Sequence, residues 1–360
     1  MRKIRFGIIG CGGIANSKHL PALVQFPDEV ELVAFCDLIP ERARAAADKY
    51  GVPGAKTYTD YHQLLADPSI EVVHVCTPNV SHCEISVAAL EAGKNVLCEK
   101  PMAATYADAL KMYDAAKRNN KLLTIGYQYR HWKTHQVMKR YCEEGLLGEI
   151  YYGEATAMRR RGVPTHGVFL SKKDQGGGPL IDCGSHALDL TLWMMQNYEP
   201  VSVTGVAFEK LGRLLTPDIQ GNGRGVWDNE HFEVEDAAFG FIRMKNGALV
   251  NLRCAWAINR LEPPMPAQVL LCGTKGGLDC KDGVRFNGVQ AGEPIVTQNY
   301  KNTRGIQEMI DANPHEVRCW LDALEGKAEL YVKPEQTLTV TRILDAIYES
   351  SRTGKTVYFE

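Results

Sequence analysis

The sequence predicts an α/β protein of two domains: a doubly wound parallel sheet over residues 1–125, and an α+β domain with an open, mostly antiparallel sheet over residues 126–360. Three observations carry that expectation. From residue 4 to about 125, short β-branched runs alternate with helix-period segments, as when strands are joined by crossover helices. After residue 126, strand-like runs follow one another mostly without intervening helices. At 360 residues the chain also exceeds the usual reach of one hydrophobic core.

The strands of the first domain are expected at Ile4 to Ile9, Glu31 to Cys36, Val72 to Thr77, Asn95 to Glu99 and Leu122 to Ile125. Between two of them, Ser81 to Ala92 sets Ile85, Ala88, Ala89 and Ala92 on one helical face and stops at Gly93. The second domain is expected to use Ile150 to Arg159, Val201 to Glu209, Ala237 to Met244, Ala248 to Trp256 and Ala267 to Leu271, with Asn246-Gly247 turning a hairpin. Helices are predicted over residues 179–195, Pro314 to Leu324 and Pro334 to Ser350. The polar, Gly-containing stretch Leu211 to Asn229 is too long for a simple connection and reads as a substrate-side lid or an excursion.

Composition excludes several classes. A net charge of −2 with scattered Lys and Arg gives no basic face for nucleic acid, and Arg159-Arg160-Arg161 reads as a solvated patch. The eleven cysteines form no CxxC pair, and Cys36, Cys76 and Cys98 sit in apolar runs, so reduced core thiols are expected rather than disulfides or a zinc knuckle. The apolar start Phe6 to Ile9 is too short for a signal peptide, and no stretch reaches bilayer length. The expectation is a cytoplasmic protein with no membrane partner.

The first predicted strand runs into "GCGGIA", residues 10–15. Gly10, Gly12 and Ala15 take the three small positions of a dinucleotide loop, with Gly13 and Ile14 in between. The first permits a tight turn, the second lets backbone approach a pyrophosphate, and the third lets helix and strand pack closely. Asp37 ends the second strand about 20 residues on, where a carboxylate accepts hydrogen bonds from ribose hydroxyls and repels a 2′-phosphate. NAD rather than NADP is the expected cofactor; capping the helix after Pro40 is the structural alternative for Asp37. Open parallel sheets bind ligands beyond their carboxyl ends. Thr77, Asn79 and His82 of "CTPNVSH" and Glu99 and Lys100 of "CEKP" therefore stand where a nicotinamide lies, and Pro101 stiffens the chain after Lys100.

In "GGGPLIDCGSHALDLTLWMM", residues 176–195, a triple-glycine bend leads into an apolar helix carrying Asp182, His186 and Asp189. At 3.6 residues per turn these three share one face, and burying them without partners is costly. That face is expected to meet a ligand cleft, leaving Leu180, Leu188, Leu192 and Met195 to the core. A partial divalent-metal site and a core histidine are the alternatives; no metal is expected.

The glycine loop, "TPNVSH", "AGKNVLCEKP", "GYQYR" and "GGGPLIDCGSHALD" together resemble the Gfo/Idh/MocA oxidoreductase family, named for glucose-fructose oxidoreductase and inositol dehydrogenase. The resemblance spans nearly the whole chain; E-K-P combined with D-x-x-x-H is its specific part. It implies a Rossmann domain, a C-terminal domain with an open sheet, and a site between them. It also implies that Lys100, Asp182 and His186 fill catalytic positions and that Glu99 and Gln128 approach the cofactor. The implied activity is NAD-dependent oxidation of a ring secondary alcohol of a sugar, glycoside or cyclitol, such as a C3 hydroxyl, by hydride transfer. His186, with an ordinary pKa of about 6.5, suits a general base, and Lys100 suits stabilisation of an alkoxide, although the proton acceptor stays open between them. Asp182 would orient the imidazole or hold a neighbouring hydroxyl. Tyr127, Tyr129, Arg130, Trp132, Arg161 and His166 offer the platforms and polar tips that sugars favour. Family relatives often pair through the open sheet, which implies a homodimer or homotetramer. An NAD(H)-binding sensor without turnover, a nucleotide-linked or carboxylated sugar as substrate, and NAD held tightly and recycled in place stay open.

Overall fold

The computed structural model describes residues 2–214, 230–262, 265–299 and 306–359; most of the 211–229 excursion lies outside them. Two compact units emerge, Met1–His131 with Met309–Leu338, and Trp132–Glu308 with Thr339–Glu360. A single cut after residue 125 thus misses a returning segment. The helix Ile306–Leu324 carries Val317, Trp320 and Leu321 into the same buried cluster as Phe6, Ile8, Leu20 and Leu97. This helix starts eight residues before the predicted Pro314, which lies inside it. A proline removes one helical hydrogen bond and disturbs the turn before it. Burial of Ala312, Val317 and Leu321 around it outweighs that local signal.

The first unit holds six strands: β1 (Ile4–Ile9), β2 (Val30–Cys36), β3 (Lys56–Tyr58), β4 (Val72–Val75), β5 (Asn95–Cys98) and β6 (Leu123–Ile125). Their order is β3-β2-β1-β4-β5-β6 and every pairing is parallel. Parallel strands covered on both faces read as continuous apolar runs, as in Val72, Val73 and Val75. Only β3, three residues with little burial, had no sequence signal. The strand order reverses between β1 and β4, the position at which such sheets open a crevice for ligand.

The second unit is built on nine strands: β7 (Ile150–Met158), β8 (Pro200–Phe208), β9 (Ala237–Met244), β10 (Leu249–Ala255), β11 (Met265–Gly273), β12 (Gly277–Asp279), β13 (Val284–Gln290), β14 (Glu293–Asn299) and β15 (Val357–Tyr358). The order is β14-β13-β12-β11-β7-β10-β9-β8-β15, with β7 and β10 parallel and the other pairs antiparallel. Alternation along the strands gives the sheet two different faces. Ala155, Ala157, Val250, Leu252, Cys254 and Ile242 are buried on one; Tyr152, Glu154, Arg253 and Phe241 occupy the other. All eleven cysteines are free thiols, and no helix among the described residues is long and apolar enough to cross a membrane.

Candidate active site

Because the six strands of the first unit run the same way, their carboxyl ends line one edge of the sheet. Gly10 follows β1 with φ +89°, and a Cβ there would lie 2.6 Å from the Cys76 carbonyl oxygen, so only glycine fits. A Cβ at Gly12 or Gly13 would meet nothing within 4 Å, which leaves that backbone open to a close-lying ligand. Ile14 leads into a π-type helical turn over Ala15–His19, and Asn16 Nδ2 donates to the carbonyls of Cys11 (2.8 Å) and Gly12 (3.0 Å), fixing the loop. Asp37 follows β2. Its Oδ2 accepts the Cys11 N–H at 2.8 Å and Oδ1 accepts the Ile39 N–H at 2.9 Å, so the carboxylate braces the loop while keeping lone pairs for ribose hydroxyls. It makes no cap to the helix that starts at Pro40.

Beyond β4, Thr77 and Asn79 are half-buried, and Ser81 Oγ donates to Thr77 Oγ1 at 2.8 Å. Beyond β5, Lys100 is half-buried and joined to Pro101 by a cis peptide. Beyond β6, Gln128 and Tyr129 are half-buried, and Gln128 Oε1 is a buried acceptor with no partner among the described residues. An open glycine backbone, a carboxylate after β2 and an orphaned amide oxygen after β6 are donors and acceptors of the kind a dinucleotide pairs with, so these residues fit NAD.

Two expectations for this edge are corrected. His82 is fully buried, with Nδ1 2.8 Å from the Pro101 carbonyl and Nε2 2.9 Å from that of Thr77. It ties the turn after β4 to the turn after β5 instead of facing a ligand. Tyr127 has 0% exposure, so its ring is core and not a sugar platform.

Sequence reasoning missed the polar cluster beneath this edge. Lys18 Nζ lies 2.9 Å from Glu99 Oε1 and 2.9 Å from Glu316 Oε2, while His19 joins Glu99 Oε1 through Nε2 (2.8 Å) and His74 Nδ1 through Nδ1 (3.1 Å). Glu99 Oε2 in turn accepts the Lys100 N–H at 3.1 Å. Burial works against the charge on Glu99, but Lys18 and His19 outweigh it and hold the carboxyl well below its ordinary range. Burial likewise opposes the Lys18 ammonium, and Glu316 and Glu99 more than compensate. Glu99 thus anchors the backbone that presents Lys100. No local signal announces Glu316, which lies 298 residues from Lys18.

In the second unit the 179–195 segment is not one uniform helix. Leu180–Gly184 form a wider π-type turn, followed by an α-helix over Ser185–Met195. Asp182 sits in that turn, half-buried, and Oδ2 accepts the Trp256 indole N–H at 2.9 Å. Trp256 meets Phe169 edge-on at 6.2 Å, and Phe169 meets the exposed His166 ring at 5.2 Å, so His166 and Asp182 belong to one aromatic-lined group. His186 follows on the α-helix at 7% exposure.

The expected polar stripe is corrected as well. Residues from Ser185 to Met194 are all buried and Asp189 is 1% exposed, so it lies in the interior on a helix covered all round. Arg161 is half-buried, with its guanidinium on Asn259 Oδ1 (2.6 Å) and the Arg160 carbonyl (2.6 Å), and the half-buried Arg159 donates to the Gly162 carbonyl, whereas Arg160 is exposed as a solvated patch requires.

Glu235 is a second missed residue. Its buried carboxylate accepts the N–H groups of Gly178 (2.9 Å) and Leu180 (3.0 Å) and the Tyr348 hydroxyl (2.8 Å), capping the turn that presents Asp182. The glycines give way to these partners: Gly176 takes φ +82°, and a Cβ would fall 2.0 Å from Tyr348 Oη at Gly177 and 2.2 Å from the Glu235 carbonyl at Gly178.

Two family models match the chain. One, described as an oxidoreductase family with an NAD-binding Rossmann fold, covers residues 4–127, and the GFO/IDH/MocA C-terminal domain covers residues 135–279. The D-glucoside 3-dehydrogenase of Escherichia coli K12 is 35% identical over 98% of this chain and 97% of its own. The inositol 2-dehydrogenase of Salmonella typhimurium LT2 is 35% identical over 56% of this chain and 57% of its own. The solved structure of levoglucosan dehydrogenase in complex with NADH superposes with a TM-score of 0.83 at 24% identity, covering 99% of both chains, and shares the fold.

Proposed function

The chain belongs to the Gfo/Idh/MocA family of oxidoreductases, and on that premise we propose that it oxidises a ring secondary alcohol of a glycoside, sugar or cyclitol with NAD, foremost the C3 hydroxyl of a glucoside. The observation that carries this reading is the end-to-end likeness to a D-glucoside 3-dehydrogenase, joined to a glycine loop with a carboxylate after β2. When bound, NAD supplies the hydride acceptor. The backbone of Gly10, Gly12, Gly13 and Ile14 approaches the pyrophosphate and Asp37 takes the ribose hydroxyls, with Thr77, Asn79 and Gln128 along the same sheet edge toward the nicotinamide. Lys100 and His186 between them supply a cation for the developing alkoxide and an acceptor for the hydroxyl proton. Asp182, held by the Trp256 indole, would orient that acceptor or a neighbouring hydroxyl, and Tyr129 of the first unit and His166 of the second are the side chains proposed to contact the sugar.

Cofactor binding is assigned to the first unit and substrate binding chiefly to the second, with Lys100 and Tyr129 contributed by the first. The half-exposed Phe241 on the open face of the nine-stranded sheet supports assembly into a homodimer or homotetramer through that face, and the free thiols support a cytoplasmic location.

The test is NADH formation across alkyl glucosides, free aldoses, cyclitols and uronic acids, with the position of the product ketone read by NMR. Turnover of glucosides at C3 is the expected result. Turnover confined to uronic acids or nucleotide-linked sugars would overturn the substrate. No turnover, together with tight NADH-dependent capture of a protein partner, would overturn the enzymatic reading.

A further inference from the structure

We propose that His131, His315 and Cys319 of the first unit form a binding site for one transition-metal ion of the zinc type. His315 and Cys319 lie four residues apart on the Ile306–Leu324 helix, so they project from one face, and His131 ends the turn Gln128–His131 after β6. Potential ligand atoms of the three residues all lie within 4.8 Å of one another. His131 Nδ1 is 2.9 Å from His315 Nδ1, and Cys319 Sγ is 3.9 Å from that same nitrogen. With zinc–nitrogen bonds of about 2.05 Å and zinc–sulfur bonds of about 2.3 Å, these separations subtend about 90° and about 125° at the metal, either side of tetrahedral. A hydrogen bond between the imidazoles would account for their mutual approach, but it calls for no thiol on the third side.

The surroundings agree. His131, Glu316, Cys319, Trp320 and Tyr331 border a cavity of about 10 Å³, room for about one water. The buried Trp320 indole N–H, on the wall of that cavity, has no acceptor among the described residues. A water as fourth ligand gives it one. Two imidazoles, a thiolate and a water make a donor set that suits zinc and its neighbours over magnesium or calcium. Glu316 supplies nearby negative charge, partly offset by its partner Lys18. Cys319 would bind as the thiolate, so binding releases its proton to solvent. None of the three residues belongs to the proposed catalytic set. The ion would fasten the returning helix to the turn after β6, a structural role.

The test is cobalt substitution in the full-length protein. Thiolate-to-cobalt charge transfer with tetrahedral visible bands at one ion per chain is expected, lost in Cys319→Ser and with affinity at least about 10-fold weaker in His315→Asn. Thermal melts should shift upward with zinc in the native chain and not in Cys319→Ser. An octahedral spectrum, absence of uptake, or stoichiometric binding that persists in both variants would overturn the site. The cobalt spectrum of the unmodified chain decides the matter even where a variant fails to fold. Loss of glucoside oxidation with this site intact would instead count against the activity above.

Discussion

Lys100 and Glu99 are adjacent, yet their surroundings divide the labour between them. Glu99 is sealed under the sheet edge by Lys18 and His19, whereas Lys100 is half-buried at the edge and takes its position from the Glu99 carboxylate through its own N–H. Replacing Lys100 by Met, or His186 by Ala, should lower turnover at least about 100-fold while NAD binding, followed by fluorescence titration, persists. Near-normal rates in both variants would refute the assignment. Asp37 combines two duties, one to the loop and one to ribose. Charged hydrogen bonds contribute about 1.5–3 kcal/mol each, so Asp37→Ala should weaken NAD about 10- to 100-fold and narrow the preference over NADP. Comparing kcat/KM for the two cofactors measures this; an unchanged ratio would return Asp37 to a purely loop-bracing role.

At the scale of elements, the glycine-led turn is held by a carboxylate 55 residues away from Leu180. Burial raises the Glu235 pKa above the ordinary value, only partly countered by the N–H groups of Gly178 and Leu180 and by Tyr348. Glu235→Ala leaves two buried N–H groups and a hydroxyl without their acceptor, and unsatisfied groups cost about 1–3 kcal/mol each. Chemical denaturation should show a loss of about 3 kcal/mol or more. Gly177→Ala should also destabilise, with part of the loss recovered in the double variant with Tyr348→Phe, because the hydroxyl is the nearest obstruction and the ring carbon at 2.9 Å stays. Full additivity of the two changes would mean that the close approach is relieved elsewhere. The π-type turn was invisible because it depends on this long-range cap, and with it went the phase that a uniform helix would have given Asp182 and Asp189.

For the molecule as a whole, stability should depend on pH through buried histidines. Burial, and for His74 also His19 and Lys18, holds the imidazoles of His74 and His82 below their ordinary value. In the unfolded chain both take up a proton below about pH 6.5, and in the folded chain they resist it. Stability is therefore fully present above that pH and falls as acid is added, by about 1.4 kcal/mol per pH unit for each histidine within the window. Glu99, held low, extends the loss into the carboxylate range. Urea denaturation from about pH 8 to about pH 5 checks this; a flat profile would contradict it. Lys18→Met strands two buried carboxylates, and breaking a buried ion set costs about 3–5 kcal/mol. Its melt should fall accordingly, with Glu316→Gln milder because one charge is removed rather than exposed.

Periodicity and spacing alone marked out the two kinds of sheet, the glycine loop, and Asp37 and Lys100 beyond their strands, because each rests on local rules: alternation, turn chemistry and the carboxyl ends of parallel strands; the catalytic roles proposed for Lys100, Asp182 and His186 rest on the family resemblance instead. What tertiary structure decided was partnership. Lys18 with Glu316, Glu235 with the glycine turn, His131 with His315, and the return of residues 309–338 to the first unit all join residues far apart in the chain. The burial of Tyr127 and His82 is of the same origin. Desolvation is settled by everything that packs around a side chain, and no window of neighbouring residues contains that information.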